Sequence, residues 1–210
     1  MKPLIVLALL CLAGIGNVYY VDTLRAFSQS SRPVRSDRSE TSASSATWAQ
    51  LRQAERFTVI LMRHAIAPGT GDPVNFRLDN CTTQRNLSPE GKQQAKRIGR
   101  AFRQNQIPVA RVLSSQWCRC LETARLLNLG KVEQLTALNS FFKNPQTASR
   151  QTEELRQFML KHKAEKKVVV MVTHQVNMTA IADKIPDQGD AIILQLNDQN
   201  RFEIIGKMDL

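Results

Sequence analysis

Aromatic side chains are scarce in this sequence, at 6% of 210 residues, and they do not interleave with the basic residues. A surface that stacks nucleobases needs both together, so the composition argues against a single-stranded nucleic-acid platform. No compact arginine-rich arm is present, and nucleic acid is not an expected partner. Acidic residues are also in deficit, with 18 Asp and Glu against 29 Lys and Arg, a formal charge of +11. Only five basic and three acidic side chains fall within the first fifty residues. The excess therefore belongs to the remainder, where it gives any site a positive field suited to an anionic ligand. Of four cysteines, Cys118 and Cys120 form a Cys-x-Cys pair with no second pair and no adjacent histidine. That spacing disfavours zinc. Histidines number three, few enough that the place of each is informative. No internal repeat is visible.

Long apolar runs are confined to the N-terminus. Lys2 precedes the run that starts at Leu4, small residues Gly14 and Gly16 lie near its end, and apolar character resumes through Val21. A positive start, an apolar core and small residues after it describe a secretory signal. The run is also just long enough to span a membrane if retained. Residues 1–21 are thus read as a signal peptide or anchor, with residues 4–21 as the means of any membrane association. Residues 22–50 are rich in Ser, Arg and Thr, carry too little apolar surface to offset chain entropy, and are expected to form a flexible linker. The domain is then 51–210, in an exported protein that is periplasmic or anchored facing outside the cytoplasm. Such a compartment permits one disulfide between Cys81 and either Cys118 or Cys120, with one thiol left over; three buried thiols are the alternative.

Two short apolar runs each end in a histidine. Phe57 to Met62 leads into Arg63-His64, and Val168 to Val172 leads into Thr173-His174. Both are β-branched and free of charge, as strands buried on both faces of a parallel sheet are. Val109 to Leu113 reads as a third strand, ending at Ser114-Ser115. Lys131 to Leu135 reads as a short fourth, and Ala191–Leu196 with Phe202–Ile205 as a terminal hairpin. Helices are expected from Ser88-Pro89-Glu90, from about Gln116 to Leu127, over Thr152–Lys163 with acidic residues in the first turn, and over Val176–Asp183. Strands alternating with helices imply a layered α/β domain. Ligands of open α/β sheets collect beyond the carboxyl ends of the strands, where both histidines stand. The long Pro- and Gly-containing loop from Ala65 to Leu87 is placed to carry ligand contacts. His162 reads as a solvent-exposed helix residue, Trp117 as a core residue, and Asn177 as a helix cap or pocket residue.

An unprotonated imidazole can attack a phosphoryl group in line, and the charge on the three transferred oxygens calls for guanidinium and imidazole donors around it. Arg63-His64 supplies an attacker with a clamp beside it, Arg119 lies just after another strand end, and His174 adds a further donor.

Leu61-Met62-Arg63-His64-Ala65 resembles the Arg-His-Gly signature of the histidine phosphatase superfamily, which includes phosphoglycerate mutases and acid phosphatases. Asn86 to Ala95 is similar to that family's Leu-Thr-x-x-Gly-x-x-Gln-Ala helix start, and Ser114 to Ala124 to its Ser-Ser-x-x-x-Arg-x-x-x-Thr-Ala motif. Val172-Thr173-His174 stands where the family has its second histidine. The resemblance implies a three-layer α/β/α fold with a mainly parallel sheet, phosphoglycerate mutase-like. It implies His64 as a nucleophile forming phosphohistidine, with Arg63, Arg119 and His174 holding the phosphoryl group, and no need of a metal or organic cofactor. Ala65 and Thr173 depart from the family's glycines. The family's proton-donor positions hold no acid here, leaving Asp79 and Asp72 in the loop after His64 as the candidates. The expected function is hydrolysis of phosphomonoesters on a phosphorylated small molecule or envelope sugar. The alternatives are a non-catalytic phospholigand-binding module, a phosphoprotein or phosphohistidine phosphatase, and a mutase.

Overall fold

The computed structural model describes residues 45, 47–183 and 185–210. The expected signal or anchor and nearly all of the expected linker lie outside the described residues. Among those described, no helix is long and apolar enough to cross a membrane.

Six strands form one sheet: β1 (Thr58–Arg63), β2 (Val109–Ser114), β3 (Val132–Gln134), β4 (Val168–Thr173), β5 (Ala191–Leu196) and β6 (Phe202–Met208), in the spatial order β3-β2-β4-β1-β5-β6. The first four in that order are parallel, while β5 pairs antiparallel with both β1 and β6. The result is the mainly parallel sheet expected, closed on one side by the expected hairpin.

Among the described residues, the helices α1 (Pro89–Gln104), α2 (Cys118–Leu127), α3 (Ala148–His162) and α4 (Gln175–Ala182) cover it. The strands explain the layering, because successive side chains point to opposite faces. Ile60, Met62, Val170 and Val172 pack with Ile98 and Phe102 of α1 and Leu127 of α2. Val59, Leu61, Val169 and Met171 pack with Leu155 and Met159 of α3 and Met178 of α4. Both faces are therefore covered, which is why these strands carry uninterrupted apolar runs.

Local sequence sets most helix ends. Ser88 caps α1 by accepting from the Gly91 N–H, with Pro89 in the first turn and Glu90 at the positive end of the dipole. Gly91 is required by close approach: a Cβ there would lie 2.0 Å from the Ile66 carbonyl oxygen. Helix α3 begins at Ala148, earlier than expected, so Glu153 and Glu154 fall beyond its first turn and do not complement its dipole. A 3-10 turn over Pro145–Thr147 leads straight into it.

Three further expectations are corrected. Residues 47–52 are helical, and Trp48 is buried edge-on against Phe102, so packing begins inside the stretch read as linker. His162 is half-buried rather than exposed: it stacks on Phe57, contacts Phe158, and bonds Glu165 at 2.8 Å. Asn177 lies inside α4 and donates to the Asn139 carbonyl at 3.0 Å; the N-cap of that helix is His174.

Candidate active site

Register alone brings the two histidines together. Arg63 at the end of β1 stands opposite Thr173 at the end of β4, and the His64 N–H donates to the Thr173 carbonyl at 3.0 Å. The next residue on each chain is then a histidine beyond the carboxyl edge. The two rings sit 5.6 Å apart at 69°. On the far side of β4, the Ser115 N–H donates to the Val172 carbonyl at 2.9 Å, so the chain leaving β2 turns into α2 and delivers Arg119 to the same place. Thr123 ties the motif together: its hydroxyl donates to the Arg119 carbonyl at 2.7 Å and accepts from the Ala65 N–H at 3.1 Å. Arg63, His64, Arg119 and His174 line one cavity of about 350 Å³.

The protonation state of His64 follows from its neighbours. Its Nδ1 lies 2.8 Å from the Ala65 carbonyl oxygen, which can only accept, so Nδ1 carries the proton and Nε2 keeps its lone pair. Burial above all, with the positive charges of Arg119, Arg85 and Arg63, pushes its pKa down to about 3, against which the Ala65 bond acts weakly. The ring is neutral throughout the physiological range.

His174 is held in one tautomer by a short relay. Asn139 Oδ1 accepts from the Gln116 N–H at 2.9 Å, which leaves the Ser115 hydroxyl, 3.2 Å away, to donate to it. Ser115 Oγ must then accept from His174 Nε2 at 2.8 Å. The other nitrogen, Nδ1, faces the Arg119 guanidinium at 3.4 Å as an acceptor. Complete burial, reinforced by Arg119, holds His174 well below its ordinary pKa.

Two arginines keep a donor in reserve. Arg63 donates from one terminal nitrogen to the Pro186 carbonyl at 2.7 Å, and Arg119 spends both terminal nitrogens on Asp72. The Nε–H of each is buried with no partner among the described residues. A buried unsatisfied N–H costs about 1–3 kcal/mol, a cost that an acceptor reaching either group would remove.

Neither Asp72 nor Asp79, the two candidates for proton donor, has the setting of a free acid in the cavity. Asp79 is exposed, pairs with Arg77 at 3.2 Å and does not line the cavity. Asp72 does line it, but as a saturated carboxylate. It accepts from Arg119 at 2.7 and 3.2 Å, from the Trp117 indole at 3.1 Å and from the Arg85 N–H at 3.1 Å. Burial raises its pKa, yet these donors and the Arg119 charge outweigh burial and hold it below the usual carboxylate range. Trp117 packs against the core, as expected, and through that bond it is also part of the cavity wall.

Arg85 is a cavity residue that sequence reasoning missed. Its Nε donates to the Gly71 carbonyl at 2.9 Å and one terminal nitrogen to the Ala67 carbonyl, so the guanidinium is fixed without a carboxylate of its own. Burial, then repulsion from Arg119, lowers its pKa to about 10, still cationic. The signal was its place in the loop after β1, seven Lys and Arg being spread over residues 77–103 with nothing local to single it out. Ser115 was missed as well, although it lies in a motif the sequence displays.

Cys81 and Cys118 are disulfide-bonded, with their Cα atoms 5.6 Å apart, and Cys120 is a buried free thiol. The bridge joins the loop that carries Asp72 and Arg85 to the first residue of α2, next to Arg119.

The profile of the histidine phosphatase superfamily (branch 1) matches residues 59–141. No curated protein matches the chain. Among solved structures, the open reading frame Rv3214 from Mycobacterium tuberculosis is similar with a TM-score of 0.55 at 15% identity, over 71% of this chain and 96% of that one. Phosphoserine phosphatase from Entamoeba histolytica, in complex with 3-phosphoglyceric acid, gives 0.52 at 14%, over 73% and 98%. The protein histidine phosphatase SixA, complexed with tungstate, gives 0.51 at 15%, over 72% and 96%. At such identities the likeness speaks for the fold, and the matched segment speaks for the family. Over residues 59–141, which hold Arg63, His64 and Arg119, the chain is similar to the histidine phosphatase superfamily, branch 1.

Proposed function

We propose that this histidine phosphatase hydrolyses phosphomonoesters in two steps through phosphohistidine on His64. The observation that carries the reading is the 2.8 Å contact of His64 Nδ1 with the Ala65 carbonyl oxygen, which assigns the proton to Nδ1 and the lone pair to Nε2, in a cavity lined by three guanidinium groups. In the first step Nε2 attacks phosphorus, forming the N–P bond as the P–O bond to the leaving group breaks. Three equatorial oxygens then carry the charge, and Arg63, Arg85 and Arg119 supply fixed cations around them. The reserved Nε–H groups of Arg63 and Arg119 gain acceptors at that moment. His174 can take a proton on Nδ1 beside the dianion while Ser115 keeps Nε2–H engaged. In the second step water attacks phosphorus and the N–P bond breaks, returning His64 to its neutral form. The proton released by water balances the one taken up through solvent by the oxygen that left with the P–O pair. No residue of the chain needs a metal or cofactor for this sequence.

The substrate in this reading is a phosphorylated small molecule met outside the cytoplasm, with an envelope sugar phosphate as one member of the class to test. Export is supported by the N-terminal signal-like run and by the Cys81–Cys118 bridge, since stable disulfides persist in oxidising compartments. Retention of residues 4–21 would add membrane association, and the mass of the protein recovered from cell fractions tests both points.

The deciding experiment is rapid-quench reaction with a 32P-labelled aryl phosphate, followed by acid and base treatment. Acid-labile, base-stable label on the wild type and none on His64→Ala supports the reading. Phosphate release equal in both proteins overturns it. The binding-module alternative draws on the saturated state of Asp72, and it predicts phosphate binding by the folded wild type with no label at all.

A further inference from the structure

Two features of the cavity above the phosphoryl clamp are not used by the two-step chemistry. The first is its outer wall. Phe76 stacks on Trp117 at 5.2 Å, and Trp117 meets His174 edge-on at 5.3 Å, so an aromatic surface rises from the second histidine to the mouth. Phe142 faces it from the segment after β3, lies against Gly71, and is 55% exposed. Lys143 sits beside it, with Nζ 5.7 Å from the Phe76 ring and 3.3 Å from the Pro73 carbonyl. A large, partly exposed aromatic at a cavity mouth has a cost that a ligand can remove. The second feature is the lack of a free carboxyl group among the described residues that line the cavity. Asp72 is the one carboxyl group among the described residues that line the cavity, and four protein N–H groups already occupy it.

We propose that the leaving group of this enzyme's substrate is a planar aromatic alcohol of low basicity that carries a second negative charge. The proposal rests on the phosphatase reading above and narrows it. A phenol-type oxygen departs as a stabilised anion, taking the electron pair of the P–O bond, and needs no acid beside it. The water that later attacks phosphorus releases the proton that the phenolate collects through solvent. The ring of the leaving group is the part that Phe76, Trp117 and Phe142 can contact, in offset or edge-to-face geometry. Lys143, which lines the cavity with its Nζ over Phe76, is placed to meet an anionic substituent, and its single point charge suits a carboxylate or sulfonate. An aliphatic sugar alcohol offers the wall no flat face and leaves as a far stronger base.

Steady-state kinetics on purified wild type, Phe142→Ala, Lys143→Gln and Asp72→Asn test this with four substrates: phenyl phosphate, 4-carboxyphenyl phosphate, glycerol 3-phosphate and a hexose phosphate. Ratios between variants, rather than absolute rates, remove the intrinsic lability of aryl esters. Phe142→Ala is expected to lower kcat/KM about tenfold for both aryl esters and far less for the two aliphatic ones. Lys143→Gln is expected to act about fivefold more strongly on the carboxylated ester than on phenyl phosphate. Across ring-substituted phenyl phosphates, kcat/KM should rise steeply as the phenol becomes more acidic, because no proton is given to it. Equal losses on aryl and aliphatic esters in Phe142→Ala would overturn the proposal while leaving the phosphatase intact. So would a shallow leaving-group dependence that steepens in Asp72→Asn, since that pattern makes Asp72 the donor. Failure of every ester, with no label on His64, sinks the proposal together with the hydrolytic reading beneath it.

Discussion

Asp72 grips Arg119 through both terminal nitrogens, at 2.7 and 3.2 Å, with the two side chains only 10% and 3% exposed. The pair explains why a residue expected as an acid is held as an anion, and why Arg119 presents its Nε–H rather than its fork. Removing one partner of a buried pair leaves an uncompensated charge. Asp72→Asn should lower stability by about 3 kcal/mol, read from urea unfolding in phosphate-free buffer. Millimolar phosphate should restore more stability in the variant than it adds to the wild type, because an oxyanion replaces the lost carboxylate. A variant as stable as wild type, with no phosphate effect, would show that the pair carries no such weight.

Arg85 is predicted to contact the phosphoryl group although no motif marks it. Arg85→Gln should weaken phosphate or vanadate binding about tenfold or more, the loss of one charge-assisted bond in a low-dielectric pocket. Isothermal titration at two salt concentrations measures it. Unchanged affinity would confine Arg85 to bracing the loop through Ala67 and Gly71.

The two site histidines should make the protein acid-sensitive. His64 is depressed to about 3 and His174 well below its ordinary value, while both titrate near 6.5 once unfolded. Between these limits the unfolded chain binds more protons than the folded one, so unfolding gains as pH falls. Stability from these groups is full above pH 6.5 and is lost progressively as pH drops toward 3. Urea midpoints at pH 7, 6, 5 and 4 should fall more steeply for wild type than for His64→Gln. Parallel curves would mean that the ring is not buried neutral.

Ser115 is predicted to act through His174 rather than on substrate. Ser115→Ala frees the ring to change tautomer and should cost about tenfold in kcat/KM, the equivalent of one unsatisfied buried donor. Ser115→Thr, which keeps the hydroxyl, should recover most of it. Nitrogen-15 spectra of the imidazoles separate positioning from general damage, with Nε2 of His174 protonated in wild type and mixed in the alanine variant. A wild-type spectrum in Ser115→Ala would count against the relay.

The Cys81–Cys118 bridge closes a sequence separation of 37. Chain-entropy estimates for a loop of that size give about 3–4 kcal/mol, so the Cys81→Ser, Cys118→Ser double variant should unfold correspondingly earlier in urea. Because the bridge ties the Asp72 and Arg85 loop to the start of α2, KM should rise more than kcat falls. Equal stability with and without reductant would assign the bridge no constraint on the unfolded chain.

What sequence could determine here is whatever depends on a residue and its near neighbours. The β-branched runs of β1 and β4 announce strands covered on both faces, and Ser88-Pro89-Glu90 marks a helix start through capping that is local by nature. Histidines directly after two parallel strands are set at the carboxyl edge by strand direction alone, which is why Arg63, His64, Arg119 and His174 could be nominated together. Charge within one segment does not say which partner it meets. That Asp72 turns onto Arg119, that Arg85 enters the cavity, and that Cys81 chooses Cys118 over Cys120 were all decided by how the loop from Ala65 to Leu87 folds over α2. Tertiary structure also set the tautomer of His174, through Ser115 and Asn139 from separate segments, and the place of Trp117 between the core and the cavity wall. These are contacts between residues distant in the chain, and burial, which sets the protonation of both histidines, exists only once the sheet and helices have closed around them.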